Sequence, residues 1–113
     1  MNYDLEKRTT DFSKKVVMFC NTVKINAINR PMIDQLIRSG TSIGANYCEA
    51  LGASSRKDFR NKIHICKKEA QETRYWLTLL MDIDGVNKEL LGFLKQEAHE
   101  FSLIFGKIAA SSK

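Results

Sequence analysis

The feature that most constrains this chain is a long run of apolar and small residues that recur at alternating steps of four and three. The run comprises Phe59, Ile63, Cys66, Ala70, Thr73, Leu77 and Leu80. These steps place every member on one side of an α-helix, in the pattern of a seam between packed helices. A half-buried β-strand needs alternation at every second residue, and no segment competes with that pattern. The seam therefore predicts a bundle of helices.

Three further segments carry the same periodicity, so the sequence predicts four helices. They span approximately residues 11–28, 31–51, 55–83 and 88–110 of a single domain over residues 1–113. Thr10, Ser55 and Asn87 are suitable N-caps for three of them. Pro31 suits the first position of the remaining helix. Because the connections are short, consecutive helices should be antiparallel, which predicts an all-α, up-down-up-down antiparallel four-helix bundle.

Two glycines, Gly40 and Gly44, stand inside the predicted second helix. Each costs about 1 kcal/mol relative to alanine in a helix interior. Their presence predicts that another backbone approaches this helix closely. The alternative is a helix broken by a loop around residues 39–42, although the apolar period continues across that stretch.

The composition is that of an ordinary globular protein, with 43% apolar and 27% charged residues. The first ten residues form no apolar signal segment, and no run approaches the roughly 20 apolar residues that span a bilayer. Cys20, Cys48 and Cys66 are widely spaced, and each falls on an apolar helical stripe. This pattern predicts reduced core thiols in a cytoplasmic protein without membrane contact.

No motif with catalytic or metal-binding chemistry is found in the sequence. There is no Glu-x-x-His pair for a di-iron site, no phosphate-binding glycine loop and no nucleophile elbow. His64 and His99 lack a carboxylate at the spacing that shares their helix face. We therefore expect no catalytic residue, no metal and no cofactor, so the protein is predicted not to be an enzyme. A cysteine- or metal-dependent activity in the core is the alternative.

Cations crowd the first half of the predicted third helix, in a chain of net charge +5. The predicted binding residues are Arg56, Lys57, Arg60, Lys67 and Lys68 in that half, together with Arg74 further along the helix. Steps of four, seven and seven place four of them in one line beside the seam. A solvated face is the more frequent explanation of such a charge run, but positive charge at a helix start opposes the macrodipole, which strengthens the case for a binding role. The line predicts contacts to RNA or DNA phosphates, with little base stacking because Phe59 and Trp76 lie on apolar arcs.

Two surfaces carry apolar or small residues beyond those that the core of one small bundle needs. The third helix has a second apolar arc, which lies either in a fully buried central helix or against another subunit. On the second helix, small and polar residues lie opposite the core stripe and face either water or a subunit. The predicted interface of a homo-oligomer comprises Arg38, Ser42, Ala45, Glu49, Trp76 and Leu79.

Three stretches of the two middle helices resemble a known family. They read RSGTSIGANYCEA over 38–50, KIHICKKEA over 62–70 and ETRYWL over 72–77, with Arg30, Pro31 and residues 34–36 upstream. These stretches are similar to proteins encoded in intervening sequences of bacterial 23S ribosomal RNA genes. The resemblance implies a bacterial four-helix bundle, commonly a ring-shaped homopentamer without established enzyme activity. A related branch comprises basic pentameric accessory proteins of diversity-generating retroelements, which bind nucleic acid and a reverse transcriptase.

The residues and the resemblance together predict a non-enzymatic, basic, oligomeric bundle that binds RNA or DNA without strong sequence preference. The alternative function is a scaffold or accessory subunit, for example of a reverse transcriptase, that binds protein partners without touching nucleic acid.

Overall fold

The computed structural model describes residues 4–112, which form four helices. Helix α1 spans Leu5–Thr22, α2 spans Arg30–Leu51, α3 spans Arg56–Leu80 and α4 spans Lys88–Ser111. Consecutive helices pack together, and α4 closes the bundle against α1 through a less extensive contact. Within these residues, the backbones of diagonally opposite helices do not approach closely, and Tyr47 of α2 meets Phe105 of α4 across the core with ring centroids 5.6 Å apart. The order of helices around the bundle is therefore their order in the chain.

Contacts between α2 and α3 show the direction of neighbouring helices. The Thr73 hydroxyl donates to Ser39 Oγ at 2.9 Å, and the Lys62 ammonium donates to Glu49 at 2.8 Å. Residues later in α3 therefore lie beside residues earlier in α2. The reversed order also holds between α1 and α4, and between α3 and α4. The predicted all-α, up-down-up-down bundle is confirmed.

The seam of α3 lies in the centre of the core. Its six residues from Ile63 to Leu80 are buried, and Phe59 at its start is half-buried against the cluster. Two phenylalanines of α1 and two of α4 are fully buried, and Phe12 and Phe101 meet edge to face with ring centroids 5.3 Å apart. Burial of this apolar surface holds the helices together, because each Å² removed from water contributes about 25 cal/mol of stabilising free energy.

The two glycines of α2 lie against α1. A Cβ on Gly40 would lie 3.0 Å from both methyl groups of Val16, and one on Gly44 would lie 3.4 Å from the Thr9 carbonyl oxygen and side chain. Close approach of another helix is thus confirmed, through a side chain at Gly40 and through backbone and side chain at Gly44. Helix α2 runs unbroken across both glycines, so the alternative of a loop at residues 39–42 is wrong.

Helix α1 begins and ends six residues earlier than predicted. Asp4, not Thr10, is its N-cap, and the Asp4 carboxylate accepts from the Lys7 backbone N–H at 2.9 Å. The earlier start brings Leu5 and Thr9 into the buried face. Thr10 lies inside the helix and donates to the Glu6 carbonyl. Aspartate is as good an N-cap as threonine, so the upstream Asp4 caps the helix in place of Thr10.

Side-chain hydrogen bonds end α1 before residue 28. Asn26 Oδ1 accepts from the backbone N–H groups of Ile28 and Asn29, at 2.9 and 2.8 Å. The buried Asn29 side chain accepts from Asn26 N–H and donates to the Lys24 carbonyl. These asparagine turns compete with helical hydrogen bonds and set the start of α2.

The remaining helix ends follow the predictions more closely. Ser55 and Asn87 accept from the third residue of their helices as N-caps, at 3.0 Å in both cases. Helix α3 ends at Leu80 instead of residue 83, and the turn that follows places Gly85 at φ +85°, a conformation that glycine adopts without strain.

Candidate nucleic-acid interface

The flank of α3 that faces α4 carries cations seven residues apart. Arg60, Lys67 and Arg74 recur at one heptad position, so they lie on one side of α3 at intervals of about 10.5 Å. Arg60 Nη1 donates to the Ser112 carbonyl at 3.3 Å, and the Lys67 stem lies beside Gly106. These contacts place the predicted basic line along the junction of α3 and α4.

Helix α4 adds basic groups to the same junction. Its positions 88, 95, 99, 102 and 106 share one side of α4, and the Lys95 ammonium reaches Met81 Sδ at the end of α3. We call the combined surface the basic face. It consists of Arg60, Lys67, Arg74, Lys88, Lys95 and His99. Neither Lys67 nor Arg74 forms an ion pair with any residue in the range 4–112.

Carboxylates near the middle of α4 point away from the basic face. Arg8 of α1 donates to Glu97 at 3.0 Å and to Glu100 at 2.6 Å, and its guanidinium lies 5.1 Å from the centre of the Phe101 ring. Hydrogen bonds from Gln96 and Arg8 hold the pKa of Glu100 below its usual value. Both negative charges are thus directed to the junction of α4 with α1, and the basic face keeps its positive potential.

Cations at the start of α3 have a partner in the fold. Arg56 and Phe59 line a cleft of about 490 Å³ with Ser111 and Ser112 at the end of α4, and Arg60 donates to the Ser112 carbonyl. The carboxyl end of a helix carries partial negative charge, so the antiparallel α4 offsets the unfavourable macrodipole of α3. The fold therefore accounts for the positions of Arg56 and Arg60, and their placement at the helix start is not separate evidence for a bound ligand.

The other predicted binding residues are distributed over the outside of α3. Lys57, Lys68 and Arg74 are exposed, whereas Arg60 and Lys67 are half-buried. The Lys68 ammonium lies 3.9 Å from the Glu69 carboxylate. Arg60, Lys67 and Arg74 lie on the α4 side of the helix without a described acidic partner. Of these three, the side chains of Lys67 and Arg74 also form no described hydrogen bond.

The opposite flank of α3 is paired with α2. Arg38 Nη1 donates to Glu69 at 3.1 Å, its Nη2 donates to Glu72, and Lys62 pairs with Glu49 at 2.8 Å. These five residues form what we call the ion-pair face. Glu69 is buried, so its charge depends on the guanidinium beside it. Glu69 and Glu72 are thus both partners of one cation of α2.

The residues predicted to form a subunit interface border this ion-pair face. Ala45 is exposed, and the half-buried Ser42 donates its hydroxyl to the Arg38 carbonyl at 2.6 Å. Trp76 is half-buried with an indole N–H that finds no acceptor among the described residues, and Leu79 is 38% exposed. Leu79, on the second apolar arc of α3, is thus incompletely covered by its own chain. A contact between subunits at these residues stays a prediction.

The thiols differ from one another in exposure. Cys20 and Cys66 are buried as predicted, and burial raises their pKa values to about 11 and about 12. Cys48 is exposed, so its assignment to the core is wrong. It lies on the flank of α2 that faces α1, beyond the buried stripe that includes Ile43 and Ala50. Among residues 4–112, no cluster of three potential metal ligands is found.

An exposed aromatic residue beside the basic face was missed from the sequence. Tyr75 follows Arg74, and 56% of its surface is exposed. The sequence prediction considered only Phe59 and Trp76 as aromatic platforms. The sequence contained a signal for this residue, because Tyr75 does not belong to the apolar seam of α3 and directly follows Arg74 of the basic line.

Comparison with known proteins gives two findings. A model of the 23S rRNA-intervening sequence protein family matches residues 1–107. A crystal structure from Bacteroides thetaiotaomicron, described as a protein with unknown function from the S23 ribosomal protein family, superposes with a TM-score of 0.80. It is 34% identical, and the alignment covers 94% of this chain and 98% of that chain. Comparison with curated proteins gives no match. No helix within residues 4–112 is long and apolar enough to cross a membrane.

Proposed function

The chain belongs to the 23S rRNA-intervening sequence protein family, and from its charge distribution we propose that it binds nucleic acid. In this proposal it is a non-enzymatic, cytoplasmic homo-oligomer whose basic face contacts the phosphates of RNA or DNA without strong sequence preference. The observation that supports this most is the regular line of Lys67 and Arg74 on a junction without described acidic partners. An external polyanion would supply the countercharge.

Regular spacing favours a polymer over a single small anion. Lys67 and Arg74 lie about 10.5 Å apart along one helix, which matches a ligand that repeats its negative charge. Side chains that contact phosphates position a strand but do not read its bases, so binding should tolerate changes of sequence.

Assembly would multiply the basic face. One bundle offers few phosphate contacts, whereas a closed oligomer repeats them and raises avidity. The partly exposed Leu79 supports a subunit contact. The number five comes only from the family resemblance. Light scattering measures the mass, and a monomer at micromolar concentration would contradict assembly.

The test is reversal of two charges on the basic face. We expect Lys67→Glu combined with Arg74→Glu to weaken binding of mixed-sequence RNA by about tenfold or more at low salt. The slope of log affinity against log salt should fall by about 1.5, because two single-strand phosphate contacts are lost. Fluorescence anisotropy over a salt series measures both quantities.

The matched control reverses two exposed lysines elsewhere, Lys14 and Lys24, to glutamate. It changes net charge equally but leaves the basic face intact, so the salt slope should change little. Circular dichroism and light scattering establish that both variants keep their helices and mass. Absence of binding at low salt, or equal losses in the two variants, would leave the scaffold or accessory-subunit function as the better explanation.

A further inference from the structure

Tyr75 is an exposed ring at the edge of the basic face. It follows Arg74 directly, and Gln71 and Thr78 lie one turn to either side on the α4 flank. A tyrosine that packed in the core would lie on the seam, whereas 56% of this one is open to solvent. Its exposure leaves aromatic surface available to a ligand that already contacts the neighbouring cation.

The ring rests on a support that belongs to the core. Tyr75 packs edge to face on Trp76, with centroids 5.2 Å apart and planes at 70°, and Trp76 in turn packs against the core cluster. Aromatic pairs prefer this geometry. A supported ring with two side-chain torsions loses little conformational freedom when it binds, so the surface is suited to stacking.

The nearest acidic residue on this turn is neutralised within the chain. Glu72 precedes Tyr75 by three residues, which places it beside the ring on the helix surface. A free carboxylate there would repel a phosphate backbone. Arg38 donates to both Glu72 and Glu69, so this repulsion is reduced at the turn where Tyr75 is exposed.

We propose that Tyr75 stacks on an unpaired base of single-stranded nucleic acid while Arg74 and Lys67 contact its phosphates. This inference rests on the proposed function, since the phosphate contacts bring the strand to the ring. In a duplex the base faces are covered by their neighbours, so the ring has no surface to stack on. Stacking tolerates any base, which agrees with weak sequence preference.

The experiment compares three probes of equal phosphate count per strand. They are a mixed-sequence single-stranded RNA, its duplex with the complementary strand, and an abasic strand. Tyr75→Ala should weaken binding of the first by about tenfold, because one stacked base is lost. Binding of the duplex and of the abasic strand should be unchanged. Tyr75→Phe keeps the aromatic face and should bind like the wild type.

Failure of this inference differs from failure of the proposed function. If the wild type binds the strand with steep salt dependence but Tyr75→Ala loses nothing, or loses as much for the abasic strand, stacking is overturned and the phosphate face remains. If no probe binds at low salt, both proposals are overturned. A changed mass of Tyr75→Ala in light scattering would place Tyr75 in a subunit contact and also overturn stacking.

Discussion

The two flanks of α3 carry similar amounts of charge but arrange it differently. On the ion-pair face, α2 supplies a partner for each charged residue of α3, and one of those partners, Arg38, joins two carboxylates. On the basic face, α4 presents lysines and a histidine, and its central carboxylates turn toward α1. The same helix is thus neutralised on one side and left positive on the other.

This difference separates charge that holds helices together from charge that is available to a ligand. An ion pair between two helices fixes their register and is already satisfied. A cation without an acidic neighbour contributes little to stability but keeps its attraction for an external anion. Net charge alone does not distinguish the two cases, whereas pairing does.

Removal of Arg38 should give the largest change in stability. Arg38→Ala leaves the buried Glu69 carboxylate without its guanidinium, so we expect the free energy of unfolding to fall by about 2 kcal/mol. Lys68 approaches only to 3.9 Å and is exposed, so it compensates little. Urea unfolding followed by circular dichroism at neutral pH measures the loss.

The matched control for Arg38 is Lys67→Ala on the other flank. It removes a cation without a described acidic partner, and the free energy of unfolding should change by less than about 0.5 kcal/mol. Equal losses in the two variants would show that the basic face also stabilises the fold, and the contrast between the flanks would be lost.

A carboxylate added to the basic face should make it resemble the ion-pair face. Position 102 of α4 lies between the positions beside Lys67 and Arg74, so Ser102→Glu offers both cations a partner. Affinity for single-stranded RNA should fall by about fivefold, while stability rises by at most about 0.5 kcal/mol. Ser102→Gln has nearly the same size without the charge and should bind normally. Unchanged affinity in Ser102→Glu would remove Lys67 and Arg74 from the interface.

Gly106 tests packing at the junction of α3 and α4 and should give the smallest change. A Cβ there would lie 3.6 Å from Lys67 Cε, which is an ordinary contact, so Gly106→Ala should stabilise the helix by about 0.5 kcal/mol. Gly40→Ala in α2 is the contrasting variant, because its Cβ meets Val16 at 3.0 Å and the gain in helix propensity is offset by crowding. Thermal unfolding compares the stabilities of the two variants. A loss of stability in Gly106→Ala would mean that α4 packs more tightly against α3 than the contacts show.

Local chemistry accounts for most of what the sequence predicted correctly. The seam of α3 and the caps at Ser55 and Asn87 each depend on a few residues that are neighbours in the chain. The errors in α1 arose where two local solutions competed, since Asp4 and Thr10 are both good caps and the asparagines at 26 and 29 form turns of their own. Exposure of Cys48 depended on how far the neighbouring helix covers α2, which periodicity does not specify.

By itself, the sequence determined that this chain forms four antiparallel helices and places cations along one line of the third. Helical periodicity and short connections are properties of neighbouring residues, so they are visible without a structure. Only the tertiary structure decided which cations are paired. Partners such as Arg38 and Glu69 lie 31 residues apart and meet because α2 and α3 pack together. Charge pairing follows distance in space, and the packing of the helices sets that distance.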